Sequence, residues 1–189
     1  MKAYVTSVGE KTTNICVEQL RKFGFEVVLL GEKESWPDKY KRFLNMANED
    51  CIRIDADVIP NKYLAEAYWE AFQYHPRMLI IQYRTYCFYK NQLAITSPLF
   101  YRKEALDILK TADIDKDRPE AIAWRHPAIN DRTYTSDKVV GLHGFFQDDE
   151  TFKRAVTNKH NRGQIDEYDF VLAEQLRTLR LMKLSGTTN

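Results

Sequence analysis

The chain has 189 residues, a length that suits one domain with a single buried core. Its 44% hydrophobic and 29% charged residues exclude a disordered chain. A formal net charge of +1 excludes a whole-molecule field that would draw nucleic acid or an anionic membrane, so any bound anion must be held by a local group of charges.

Taken in chain order, Ala3-Tyr4-Val5-Thr6-Ser7-Val8 reads as a short buried strand ending at Gly9. Residues 12–23 carry Ile15, Leu20 and Phe23 on a helical pattern, and Gly24 is placed to stop that helix. Glu26-Val27-Val28-Leu29-Leu30 is a nearly continuous apolar run, as expected of a strand covered on both faces. Strand, helix and strand in this order make a βαβ unit and predict a mostly parallel sheet. Asp38 is the expected cap of a helix running to Ala47, which would bury Tyr40, Phe43, Leu44 and Ala47. Cys51-Ile52-Arg53-Ile54 is the next strand, and it runs straight into Asp55-Ala56-Asp57.

A helix is predicted over 62–74 and a strand over 78–89, with Asn91-Gln92 as a hairpin turn into Leu93-Ala94-Ile95-Thr96. Residues 102–110 read as helix. From 111 to 138 the pattern weakens to charges, two prolines and one short helix around 120–124, and loops of that length are commonly functional. Val139-Val140-Gly141-Leu142-His143 predicts a last strand, and 148–159 and 168–184 predict helices. With no repeat or linker, the expectation is one α/β domain over 1–185 and a disordered tail at 186–189.

Cys16, Cys51 and Cys87 are odd in number and widely spaced, with no C-x-x-C pair. They argue against a disulfide framework or a structural zinc site and suit a reducing compartment. Polar Ser7 and Glu10 arrive too early for a secretory signal, and no apolar run approaches the roughly 20 residues of a membrane span. The expected location is cytoplasmic.

Ile52-Arg53-Ile54-Asp55-Ala56-Asp57 is the most informative stretch. In open α/β sheets ligands sit at the carboxyl ends of strands, which is where these aspartates fall. In extended geometry both carboxylates project to one side and repel, so they need a counter-charge. Mg²⁺ or Mn²⁺ would supply it and suits phosphate oxygens as well. A solvated Asp-x-Asp turn is the competing explanation of so short a motif.

Tyr4-Val5-Thr6-Ser7, then Arg42-Phe43-Leu44-Asn45, then the Asp55-Ala56-Asp57 strand, then Ser97-Pro98-Leu99-Phe100-Tyr101-Arg102-Lys103-Glu104-Ala105-Leu106 follow one another in a telling order. That order resembles the GT-A glycosyltransferases, particularly the family-2-like group, over most of residues 3–110. The resemblance implies a Rossmann-like fold and a UDP- or GDP-sugar donor, with a glycan, lipid or protein acceptor. It implies that Asp55 helps hold the ribose or the metal, that Asp57 ligates the metal on the diphosphate, and that Thr6, Ser7 and Arg42 lie near the nucleotide. His143, between Leu142 and Gly144, looks like the histidine such enzymes bring back to the metal; a hydrogen-bonded structural histidine is the alternative. Lys159 and Arg162 would neutralise the diphosphate, or else simply decorate a helix C-terminus. An inverting enzyme also needs a carboxylate base. Glu120, at the start of a helix opened by Pro119, and Asp117 are the candidates, with Asp166-Glu167 a later option.

Three rivals stand beside this reading. A haloacid-dehalogenase-type phosphohydrolase would use Asp55 as nucleophile, with Gln147-Asp148-Asp149-Glu150 as its late acidic motif, although Ile59 departs from its pattern. A nucleotidyltransferase is possible on a similar sheet, although Ser7-Val8-Gly9-Glu10-Lys11 holds only one glycine. A non-catalytic nucleotide-binding relative is the third.

Overall fold

In the computed structural model, residues 1–31, 33–88, 92–114, 116, 118–144 and 157 are described. Seven strands form one sheet in the order β2-β1-β3-β6-β5-β7-β4. The first half follows the expected βαβ course, except that Glu26–Leu30 is not covered on both faces: it is the edge of the sheet and leaves Leu29 47% exposed. Strand β1 (Lys2–Thr6) leads to helix α1 (Thr13–Lys22), β2 (Glu26–Leu30), α2 (Trp36–Met46) and β3 (Cys51–Asp55). β1 lies parallel between β2 and β3, with Thr6 opposite both Leu30 and Asp55. Gly24, at φ +85°, lets the chain reverse after α1, a conformation that costs glycine little. Helix α2 begins earlier than expected. Ser35, not Asp38, is its cap, accepting from the Asp38 backbone N–H at 3.3 Å and donating to the Asp38 carboxylate.

The second half departs from the mostly parallel expectation, and the sheet is mixed. After the three-residue β4 (Val58–Pro60) and helix α3 (Tyr63–Tyr74) come β5 (Ile80–Cys87) and β6 (Gln92–Tyr101). β6 runs antiparallel to both β5 and β3. The cause is connection length: four residues can join antiparallel neighbours, whereas a parallel pair needs a crossover of a dozen or more. Helix α4 (Lys103–Lys110), a 3₁₀ turn (Pro119–Ala121) and the short helices α5 (Ile122–Arg125) and α6 (Pro127–Asn130) then lead to β7 (Thr133–His143). β7 is parallel to β5 and antiparallel to β4. It starts six residues before the expected strand, inside the stretch whose charges hid its pattern. Apart from Thr157, the helices expected at 148–159 and 168–184 lie outside the described residues, as do Asp117, Lys159, Arg162, Asp166-Glu167 and Gln147-Asp148-Asp149-Glu150.

Alternation along the strands gives the sheet two buried faces. Ala3, Val5, Ile52, Ile54, Ile81 and Phe100 pack with Leu20 of α1 and Ala67 of α3. Tyr4, Cys51, Ile80, Leu99 and Tyr101 pack on the other face with Phe43 of α2 and Leu106 of α4. Tyr4 and Tyr101 each meet the Phe43 ring edge-on, at 5.2 and 5.3 Å between centroids. The core is thus complete on both sides up to the carboxyl ends of β1 and β3, where polar groups take over.

Candidate functional site

Strand β3 ends in a turn, so Asp55 and Asp57 do not share one extended face as expected. Three threads fix that turn: Ala56 N–H donates to Thr6 O (2.9 Å), Thr12 Oγ1 to Ala56 O (2.7 Å), and Gly144 N–H to Asp57 O (2.9 Å). A bulge in β6 adds a fourth. Register jumps between Gln82/Leu99 and Tyr83/Thr96, which takes Ser97 and Pro98 out of the ladder. Proline has no N–H to offer a ladder and fits such a bulge. The Ser97 hydroxyl, released there, accepts from the Asp55 N–H beyond the point where β3–β6 pairing stops.

Each carboxylate has its own protein counter-charge. Asp55 Oδ1 accepts from Arg53 Nη1 at 2.7 Å and from Thr6 Oγ1 at 2.7 Å. Arg53 is buried, lies 5.1 Å over the Trp36 ring, and points the same way as Asp55 because they are two residues apart on one strand. Burial opposes its charge, but the Asp55 carboxylate, together with Tyr101, Tyr40 and Glu120, outweighs burial and holds the guanidinium above its ordinary value. Asp57 Oδ2 lies 3.0 Å from His143 Nε2, and His143 Nδ1 lies 3.1 Å from Cys87 Sγ. Burial lowers the imidazole pKa; Asp57 and, to a smaller extent, the Cys87 sulfur together more than reverse this and push it up to about 10. The expected mutual repulsion, for which a cation was the expected counter-charge, is therefore met by two ion pairs within the protein.

Two adjoining cavities share Arg53, Asp55, Glu120 and His143. The smaller, about 400 Å³, adds Thr6, Val8, Glu10, Trp36, Lys39 and Asp57 at the ends of β1 and β3. The larger, about 650 Å³, opens between β5, β6 and the α5–α6 segment, with Gln82, Thr96, Ser97, Trp124 and Asn130 among its walls. Of the sequence candidates, Thr6, Asp55, Asp57, Glu120 and His143 are brought together here. Glu120 sits on the 3₁₀ turn and its Oε2 accepts from Trp36 Nε1 at 2.9 Å. Ser7 is buried just behind, bonded to Glu10 Oε2 (2.8 Å) and Thr13 Oγ1 (2.9 Å). Arg42 is not brought in: it pairs with Glu34 on the outer side of α2 and lines a separate hollow with Gly31 and Lys33.

Sequence reasoning passed over Lys39, Glu10, Trp36 and Cys87. Lys39 is 0% exposed and donates from Nζ to Ser7 O; burial holds its ammonium pKa below the usual value. Its signal was present, since Lys39 stands four residues before Phe43 on the buried stripe of α2. Burial likewise pushes the Glu10 carboxyl up.

Among the described residues, no group of three or more His, Cys, Asp and Glu gathers as a metal site. The donor set nevertheless fits a hard divalent cation held partly by substrate. Asp57 Oδ2 and His143 Nε2 are an oxygen and a nitrogen donor at 3.0 Å, within reach of a single proton that a cation could replace. Mg²⁺ and its like commonly take few protein ligands and complete their shell with phosphate and water. Among the described residues no helix is long and apolar enough to cross a membrane.

No protein-family profile matches the chain, and no curated protein matches it in sequence. Solved structures do match in shape. The protein A197 from STIV is 14% identical, with 75% of this chain and 84% of that one covered at a TM-score of 0.57. A glycosyltransferase involved in the glycosylation of the major capsid of PBCV-1 is also 14% identical, covering 81% of this chain and 98% of its own at 0.52. CMP:2-keto-3-deoxy-manno-octonic acid synthetase, complexed with CTP, is 7% identical over 86% and 98% at 0.50. At these identities the likeness shows the fold, one that a glycosyltransferase and a CTP-binding synthetase have in common.

Proposed function

We propose that this chain is a metal-dependent glycosyltransferase that moves a sugar from a nucleoside-diphosphate donor to a hydroxyl-bearing acceptor. The observation that carries the reading is the meeting of two cavities at Asp55, Glu120 and His143. A transfer reaction needs two substrates brought to one line of contact, and two adjoining cavities provide that.

The donor nucleotide and diphosphate belong in the smaller cavity, at the strand ends where an α/β sheet receives ligands. Asp55, fixed by Arg53 and Thr6, is placed to accept from donor hydroxyls. Lys39 adds positive charge behind it. Mn²⁺ or Mg²⁺, held by Asp57 and His143 with phosphate oxygens, would stabilise the charge that develops on the leaving diphosphate. The acceptor belongs in the larger cavity, whose Gln82, Thr96, Ser97 and Asn130 suit a polyhydroxylated molecule. Glu120, on the wall common to both, is the group positioned to take the acceptor hydroxyl proton as the acceptor oxygen bonds to the anomeric carbon and the bond to diphosphate breaks.

The fold also serves nucleotidyl transfer, so the test separates the two. Thermal unfolding is measured with UDP-, GDP- and CMP-sugars, CTP and UTP, with and without Mn²⁺, in the parent and in Asp57→Ala. The expected result is stabilisation by one nucleoside-diphosphate sugar, only with Mn²⁺, and absent in Asp57→Ala. At a hundred times Kd the gain is about 2.7 kcal/mol. Response to a nucleoside triphosphate alone turns the reading toward nucleotidyl transfer. Response to none of them overturns it, and covalent phosphorylation of Asp55 by a phosphate ester would establish the phosphohydrolase instead.

A further inference from the structure

Cys87 lies where two strands end together. It is the last residue of β5 and stands opposite His143, the last residue of β7, in the parallel register. Phe88 N–H donates to His143 O at 3.0 Å and locks that register one step further. The two side chains meet, Sγ to Nδ1, at 3.1 Å, and the opposite edge of the ring meets Asp57 Oδ2 at 3.0 Å. Sulfur, imidazole and carboxylate thus form one row. Such a row invites comparison with a nucleophile, its base and an orienting acid. Burial argues against that role: Cys87 is 1% exposed and is a wall of neither cavity, so its sulfur does not meet substrate.

The other end of the row is what faces the cavities, and it depends on which ring nitrogen carries a proton. A histidine that donates Nδ1–H to a fixed acceptor keeps Nε2 free for a proton or a cation; without that acceptor both the tautomer and the ring angle are loose. We propose that Cys87 is a positioning residue: its sulfur accepts from His143 Nδ1 and so presents Nε2 toward Asp57, where the two side chains would hold a cation. The inference rests on the reading of Asp57 and His143 as cation donors. A thiol suits the place because a free cysteine tolerates full burial as a small hydrophobe while still offering a weak acceptor.

The test uses the whole chain with two variants, Cys87→Ala, which removes the acceptor, and Cys87→Ser, which restores one. Binding of Mn²⁺ alone is measured by titration. Nitrogen spectra of the histidine rings are recorded without metal on both sides of pH 10, so that the neutral ring is seen as well as the charged one, and with Mg²⁺, and His143 is assigned by its loss in His143→Gln. The parent is expected to show a proton on Nδ1 with and without metal. Cys87→Ala should weaken Mn²⁺ roughly 10- to 100-fold and mix the tautomers, and Cys87→Ser should recover binding to within about threefold. Unfolding midpoints close to the parent's confirm that the variants are folded. Unchanged ring spectra in Cys87→Ala overturn the proposal, as does a folded Cys87→Ser that binds no better than Cys87→Ala. A parent that binds neither ion alone leaves the metal-free spectra to decide whether Cys87 fixes the ring.

Discussion

His143 is the residue at which burial and charge oppose each other most directly. Its folded pKa stands at about 10, against about 6.5 for an unfolded chain. The raised value means that its contribution to stability is whole below about pH 6.5 and is lost as pH climbs toward 10. Denaturant midpoints of the metal-free chain at pH 6, 8 and 10 should therefore fall, and Asp57→Asn should flatten that part of the fall. An equal slope in both proteins would remove the Asp57–His143 pair from the account. At this scale the sequence was half legible. Asp55 and Asp57 stood out as carboxylates at a strand end, His143 as a histidine beside glycine, and Glu120 as a carboxylate in a turn opened by proline. What it hid was pairing: nothing linear tells that Arg53 serves Asp55, although a charge in a buried strand must find a partner. Arg42 misled for the opposite reason, since its distance from the site is a matter of which face of α2 it occupies.

Among elements, β4 and β7 hold the site closed from one side, and Gly141 is the point of closest approach. A Cβ there would lie 2.7 Å from Ile59 O and 3.2 Å from Pro60 Cα, both backbone and slow to yield. Gly141→Ala should cost about 1–3 kcal/mol, read as a shift in urea midpoint. Gly31→Ala meets nothing within 4 Å and should stay within about 0.5 kcal/mol of the parent. Equal effects would mean that β4 gives way freely. The helices α1 and α3 were readable in the sequence, and so was β2, through its apolar run. β4 was not, because three residues ending in proline carry no period; it exists only through its pairing with β7. The early start of β7 was missed for a similar reason, since Ser136, Asp137 and Lys138 interrupt its apolar pattern.

Over the whole molecule, one sheet separates two hydrophobic layers, and neither layer can lose its sheet without exposing the other. Leu20→Ala in one and Leu106→Ala in the other should each cost about 2–5 kcal/mol. Both should move near- and far-ultraviolet circular dichroism transitions together, as one cooperative unit. Two separated transitions would show that the layers melt independently. The parallel β2-β1-β3 half follows from local order in the chain. The antiparallel β5–β6 pair was legible in its hairpin turn, but the insertion of β6 beside β3 is a long-range choice that the hairpin alone does not dictate.

Arg53 and His143 give the acidic turn a further property. Since each aspartate already faces an internal base, assembly of the domain asks nothing of the surrounding medium. Zinc fingers collapse when stripped by a chelator; this chain should pass through EDTA with its shape intact.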